Sequence, residues 1–275
     1  MPTNSEPNPN TLSLIAPAKI NLMLSVHGLR DDGFHALTSL ICALDFGDRL
    51  SVRIGVGADT LKCDDSSVPT NADNLILQAA EAFRSKIGEA VYFDFDLEKR
   101  IPMGAGLGGG SSDAAIALNA MNTLTGAPLS TKELEDVSAG IGSDCPFFIS
   151  GVPAVMRGRG DLLELLPESS ATQLKGLKVA LFMPEFSIET AAAYGQLKAS
   201  KVGGYEAEAV ANERLIAFQR SGEVRSLLMN SFEPMIGQKY LAIPTLLEEI
   251  KDLGFPCLMS GSGSCCFALA GQTGD

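Results

Sequence analysis

The 275-residue sequence predicts a two-domain protein mixing helices and strands, α+β or α/β in class, and three observations carry that expectation. Its composition, 45% hydrophobic and 20% charged, is ordinary for a globular chain long enough to build more than one core. Alternating apolar segments are interleaved with segments of helical spacing along the whole length. A polar, turn-rich stretch around Pro167 to Gly176 places a boundary near 160 to 175, which gives domains over 11–165 and 166–275 after a loose polar tail, 1–10.

In chain order, LSLIAPAKINLMLSVHGL runs apolar around Lys19 and Asn21 and reads as one or two strands entering at Pro17, broken by RDDGFH. ALTSLICALDFGDRLSVRI reads as a helix or strand ending at Gly47 and Asp48, followed by a strand from Leu50 to Ile54. NLILQAAEAFRSKIG sets Leu75, Leu77, Ala79, Ala82 and Phe83 at helical spacing, with Gly88 as its stop. VYFDFDLEKRIP alternates at period two until Pro102. The glycine-rich PMGAGLGGGSSDAA then leads directly into a helix from about Ser111 to Leu124, ended by Gly126 and Pro128. TKELEDVSAG opens another helix, followed by GSDCPFFISG and the strand-like PAVMRGRGDLLELL. The second half continues with the strand LKVALFMP, the helix ETAAAYGQLK, a mobile stretch with paired glycines, further helices, and a strand pair around FPCLMSGSGSCCFALA.

A formal net charge of -12 repels nucleic acid and anionic membrane surfaces, so neither is expected as the main partner. No apolar run approaches bilayer length, and residues 1–10 lack the basic start and apolar core of a signal peptide. Six scattered cysteines without a CxxC pair suit reduced, buried thiols, and a cytoplasmic location follows.

The loop at 102–112 carries the chemistry. Glycines remove the Cβ atoms that keep an anion from the amides, and the helix behind adds its partly positive N-terminus, so a polyphosphate is the expected ligand. A GxxxxGK[ST] loop is excluded because Gly110 stands where the lysine belongs after Gly104 and Gly109. GxGxxG is matched by Gly104, Gly106 and Gly109, but the next segment, STKELEDVSAG, is helical where a dinucleotide fold needs a second parallel strand.

PMGAGLGGGSS resembles the proline-glycine-serine loop with which the GHMP kinase superfamily cradles ATP. Three further stretches narrow the likeness, in matching order, across about residues 14 to 270: APAKINLMLSVHGLRDDGFHALTSLICALDFGD, GSDCPFF and MSGSGSCCFAL. They are similar to a branch acting on a cytidine-diphosphate-linked methylerythritol in non-mevalonate isoprenoid precursor biosynthesis. The resemblance implies an α+β GHMP kinase fold, with an N-terminal domain like ribosomal protein S5 and a ferredoxin-like C-terminal domain. It implies ATP and Mg²⁺ as cofactors, a small-molecule acceptor phosphorylated on its 2-hydroxyl, and a monomer or homodimer.

Residue roles follow from the same resemblance. Asp144 of GSDCPFF is the base, and Lys19 of PAKIN supports it and polarises the reacting oxygens. Asn74, Leu75 and Lys99 are adenine contacts; Pro102, Met103, Gly104, Ala105, Gly106 and Leu107 begin the phosphate cradle. Gly108, Gly109, Gly110, Ser111 and Ser112 complete it, with either serine open to Mg²⁺. On the acceptor side stand Asn21, Phe34, His35, Thr190, Tyr194, Gly261, Ser262 and Gly263. Phe34 departs from the usual DGYH of the branch, keeping a stacking face for cytosine without the hydroxyl. His27 reads as a surface-turn histidine, and Asp113 as a favourable charge at a helix start. A homoserine- or mevalonate-type kinase would share the loop; a non-catalytic nucleotide sensor would be expected to lose Lys19 or Asp144, and both are present.

Overall fold

The computed structural model of the protein describes residues 11–199 and 204–270, so the tail 1–10 and most of the paired-glycine stretch lie outside the described residues. The chain opens with two long strands, β1 (Thr11–Leu29) and β2 (His35–Gly55), joined by a turn in which Gly33 takes φ +83°. The interruption expected at Gly47 and Asp48 does not occur: β2 runs through both. Gly47 is there for close approach, since a Cβ would lie 2.3 Å from the Ala16 carbonyl oxygen. Asp48 is fully buried in the strand and accepts the backbone N–H groups of Arg100 and Ile101, so its polarity is satisfied inside the protein.

Both long strands pass through two compact units. The first comprises 11–18, Leu44–Ile101 and Gly108–Gly151. Here β3 (Thr60–Cys63) runs parallel to β4 (Tyr92–Glu98), and β4 runs antiparallel to β2 from Arg49↔Glu98 to Gly55↔Tyr92. Its helices are α1 (Leu75–Ile87), α2 (Gly109–Leu124), α3 (Thr131–Ala139) and α4 (Cys145–Ser150). Gly88 closes α1 in the left-handed conformation, as the sequence signals, and the side chain of Asn74, read from the sequence only as an adenine contact, caps its start. Ser130 and Glu133 form a reciprocal capping box on α3. Buried Ala114, Ala115, Ala117 and Ala120 leave α2 slim enough to pack against both α1 and α4.

Phe83 of α1 is completely buried and meets the Phe93 ring of β4 edge-on, 6.2 Å between centroids. Phe83→Ala is therefore expected to cost about 3 to 5 kcal/mol, measured as a lowered midpoint in urea unfolding. A loss below about 1 kcal/mol would show that this core collapses around the gap.

The second unit comprises Lys19–Ala43, Pro102–Leu107 and the described chain from 152 onward. The segment read as PAVMRGRGDLLELL folds as a hairpin of β5 (Ala154–Arg157) and β6 (Leu162–Leu165), with β5 antiparallel to β2 at Ser39–Ile41. The polar stretch read as turn-rich contains a short helix, α5 (Glu168–Leu174), anchored by buried Ser170 and Leu174. Next come β7 (Lys178–Phe182), α6 (Thr190–Ala199), α7 (Glu208–Ser221) and β8 (Met229–Asn230), the last pairing parallel with β1 at Met23 and Leu24. Then α8 (Glu233–Lys239) and α9 (Ala242–Asp252) precede β9 (Cys257–Met259) and β10 (Cys266–Ala270), which complete an antiparallel sheet of order β7-β10-β9. Helix and strand are mixed within each unit, which is the α+β organisation expected.

Candidate active site

Residues 102–107 of the glycine loop belong to the second unit, where three other segments close on their backbone. The Lys19 N–H donates to the Leu107 carbonyl at 2.9 Å, the Cys265 N–H to Ala105 at 3.1 Å, and the Ile188 N–H to Gly104 at 3.3 Å. The Ser260 hydroxyl donates to the Gly106 carbonyl at 3.1 Å. Gly106 has φ +75°, and a Cβ on it would sit 2.2 Å from the Ser260 carbonyl oxygen. On Gly261, a Cβ would meet the Gly106 oxygen at 3.0 Å and the Lys19 Nζ at 3.4 Å. Side chains are excluded here because two glycine-bearing turns and a lysine share one small volume.

Lys19 is 6% exposed, and its Nζ donates to Asn21 Oδ1 at 2.7 Å. Asn21 Nδ2 donates to Ser39 Oγ at 2.8 Å, and Ser39 in turn to the Met23 carbonyl at 2.7 Å. Strand alternation puts positions 19 and 21 on one face, and this relay fixes the ammonium there. Thr190 and Ser262 hydroxyls are hydrogen-bonded at 3.1 Å, joining the start of α6 to the 260–264 turn.

The same unit holds an aromatic cluster. His35 Nε2 lies 3.2 Å from the Tyr205 hydroxyl, and its ring centroid is 5.0 Å from Tyr194 and 5.8 Å from Tyr205. Tyr194 also meets Phe232 edge-on at 4.8 Å. Burial, and after it the charge of Lys198, holds the His35 imidazole below its ordinary pKa, which keeps it neutral at pH 7 with one donor and one acceptor nitrogen. Phe34 is 53% exposed under the Arg159 guanidinium, 4.9 Å from its ring centroid. Tyr205 has no motif around it, and the sequence reading missed it. His27 is corrected: it lies within β1, its Nδ1 2.9 Å from the Glu206 carbonyl and its Nε2 2.8 Å from Thr38 Oγ1, so it crosslinks strands and is no surface turn.

The first unit holds the rest of the loop. Gly108, at φ +73°, leads into α2 without a side-chain cap, so no side chain of the cap competes for the first-turn N–H groups. The Ser111 hydroxyl lies against the Cys145 thiol and within 3.5 Å of where a Gly142 Cβ would stand, which ties GSDCPFF to the start of α2. Asp144 immediately precedes α4 and makes no capping bond to it, so capping is not the reason for this aspartate. The Ser112 hydroxyl is buried with no hydrogen-bond partner among the described residues.

Asn74 is 9% exposed, its Oδ1 accepting the Ile76 N–H and its Nδ2 donating to the Pro69 carbonyl. Leu75 flanks the loop, 3.7 Å from where a Cβ on Gly110 would stand. The Lys99 ammonium is buried between Asp48 and Asp113, with 3.0 Å to Asp113 Oδ2. Asp113 is thus corrected from a dipole charge to an ion-pair member beyond the first turn of α2. Burial pushes its carboxyl up to about 7 against the opposing pull of Lys99. No group of three or more His, Cys, Asp or Glu side chains suited to a metal occurs among the described residues.

All six cysteines are free, and Cys63 alone is not buried. Burial drives Cys42, Cys265 and Cys266 up to about 12 and Cys145 to about 11, so their thiolates are scarce at pH 8. A maleimide at pH 8 is expected to label native protein once per chain, at Cys63, as read by mass spectrometry of the digest; rapid labelling of Cys145 or Cys265 would contradict this burial.

Comparison with known proteins adds to this geometry. Residues 74–152 match the family model for the GHMP kinases N terminal domain, and residues 207–275 that for GHMP kinases C terminal. A 4-diphosphocytidyl-2-C-methyl-D-erythritol kinase from a Synechococcus strain is 40% identical over 274 residues, covering 95% of this chain and 88% of that protein. The chloroplastic enzyme of the same name from Arabidopsis thaliana is 35% identical over 264 residues, covering 94% and 67%. A crystal structure of 4-(cytidine 5'-diphospho)-2C-methyl-D-erythritol kinase superposes with TM-score 0.75 at 32% identity, covering 94% of this chain and 90% of that one. A homoserine kinase from Cytophaga hutchinsonii shares the fold, with TM-score 0.67 at 21% identity over 98% of this chain and 87% of its own. No helix among the described residues is long and apolar enough to cross a membrane.

Proposed function

The chain belongs to the GHMP kinase family and is a small-molecule kinase, and on that premise we propose that it transfers the γ-phosphoryl group of ATP to the 2-hydroxyl of 4-diphosphocytidyl-2-C-methyl-D-erythritol. The observation that carries the acceptor is the cluster of a neutral His35 with Tyr194 and Tyr205 beside exposed Phe34. A cytosine edge carries both donors and acceptors and its faces stack on aromatics, which is the chemistry this cluster offers. A homoserine or mevalonate acceptor has no ring for it to hold.

Phosphoryl transfer asks for alignment, charge neutralisation and removal of the hydroxyl proton. Asp144 takes the proton from the acceptor hydroxyl as the new oxygen–phosphorus bond forms and the bond to the ADP oxygen breaks. Lys19, oriented through Asn21, offsets the charge on the reacting oxygens. Gly104–Ser112 amides and the α2 N-terminus hold the triphosphate, with Leu75 and the 74–75 backbone toward adenine. Thr190 and the 261–263 turn hold the acceptor's polar groups. The Ser112 hydroxyl, buried and unpartnered among the described residues, would be the side-chain oxygen that helps to hold Mg²⁺ beside the triphosphate, where the ion would neutralise phosphate charge.

The reading is tested by coupled ADP release with Mg·ATP and a panel of acceptors. Turnover with the cytidine-linked acceptor, and none with homoserine or mevalonate, is the expected result. Turnover with another panel member would reassign the acceptor, and ATP binding without turnover on any would make the chain a nucleotide sensor.

A further inference from the structure

We propose that Lys99 serves ATP binding from inside the protein, as a buried strut that clamps the chain running into the glycine loop to the helix leaving it, with Asp48 and Asp113 as its two anchors. The inference rests on the reading of 102–112 as the ATP cradle. Lys99 stands three residues before Pro102, and Asp113 is on α2, one residue past the loop's last serine. Their side chains are 7% and 5% exposed, and Asp48 is wholly buried. Lys99 Nζ donates to both carboxylates, while Asp48 Oδ1 accepts the N–H groups of Arg100 and Ile101, the last two residues before the loop. One aspartate from β2 therefore holds the backbone leading into the loop, and the lysine carries that hold across to α2. A Cβ on Gly109 would lie 3.3 Å from Lys99 Nζ and 3.0 Å from an Ile101 methyl, so the first residue of α2 rests directly on this strut.

The charge count makes the arrangement testable. Two carboxylates share one ammonium, and the second oxygen of Asp113 is buried with no hydrogen-bond partner among the described residues. Removing Lys99 leaves two buried acidic groups facing each other without their shared ammonium, so that Asp113 must take up a proton to remain there, and replacing it with asparagine removes that requirement. A lysine that acted by touching the nucleotide would gain nothing from a change at Asp113.

Lys99→Met, Asp113→Asn and the double variant should be compared with wild type by thermal unfolding, by titration with a fluorescent ATP analogue, and by KM for ATP and for the acceptor. Lys99→Met is expected to lower Tm by several degrees and raise the KM for ATP on the order of tenfold through a displaced loop, with little change in acceptor KM. Adding Asp113→Asn is expected to recover a clear part of both losses. If Lys99→Met is too unstable to purify, recovery of folded, ATP-binding double variant makes the same point. A double variant as impaired as the single one, or one that still fails to fold, overturns the proposal. Should wild type neither bind nor consume ATP, the proposed activity fails, while the Tm coupling between positions 99 and 113 still reports whether the strut exists.

Discussion

Asp144→Asn is expected to lower kcat on the order of 10²- to 10⁴-fold, the range for loss of a positioned proton acceptor, with KM for ATP and acceptor little changed. The carboxylate contributes no capping bond to α4, and an amide keeps its size, so the variant should fold as wild type does. Proton removal matters only as the hydroxyl oxygen attacks, which places the loss in kcat. Single-turnover kinetics with preformed enzyme and both substrates would separate the chemical step from product release. A kcat within a few-fold of wild type would remove Asp144 from the chemistry and leave alignment and charge neutralisation as the sources of rate.

The second large effect is expected at Gly106. An alanine there must hold φ +75°, which costs a non-glycine residue roughly 1 to 2 kcal/mol. Its Cβ would also stand 2.2 Å from the Ser260 carbonyl oxygen and 3.0 Å from that of Gly263, so one of the two turns must move. Backbone offers no cheap escape. A displacement near 1 Å at reacting groups can cost about 10²-fold in rate, and Gly106→Ala is expected to lose at least that in kcat/KM for ATP. Alanine at Gly110, where the nearest foreign atom is Leu75 Cδ1 at 3.7 Å, is the control: it has room, and its effect should be much smaller. Equal losses at both positions would mean that the loop's tight contact with the 260–263 turn is not what its glycines serve.

How much of this was legible in the sequence depended on whether the signal was local. Helix α1 could be read because its apolar spacing from Leu75 to Phe83 and its stop at Gly88, which is left-handed, both lie in the chain itself. Strand periodicity put Lys19 and Asn21 on one face, but the hydrogen bond between them is seen only in the structure. Strand β2 misled, because Gly47 and Asp48 look like a break and are explained only by partners distant in sequence: Ala16 against the glycine, and Lys99, Arg100 and Ile101 around the aspartate. Lys99 read as an adenine contact just ahead of the loop, whereas its side chain is buried between two aspartates. Its anchors lie 51 and 14 residues away, a separation no local pattern encodes. His27 and Tyr205 were hidden for the same reason, since each takes its meaning from side chains or carbonyls brought in by other elements.

The position of the transferred phosphoryl group tests the central claim most directly. The proposed acceptor carbon, C2, bears a methyl group and no hydrogen, so a phosphate on its oxygen has no three-bond coupling to a proton. Phosphorus NMR of a reaction with Mg·ATP and the cytidine-linked acceptor should show ATP converted to ADP and a new phosphomonoester singlet. Release of inorganic phosphate alone, or a new ester split by an attached CH or CH₂, would contradict transfer to the 2-hydroxyl.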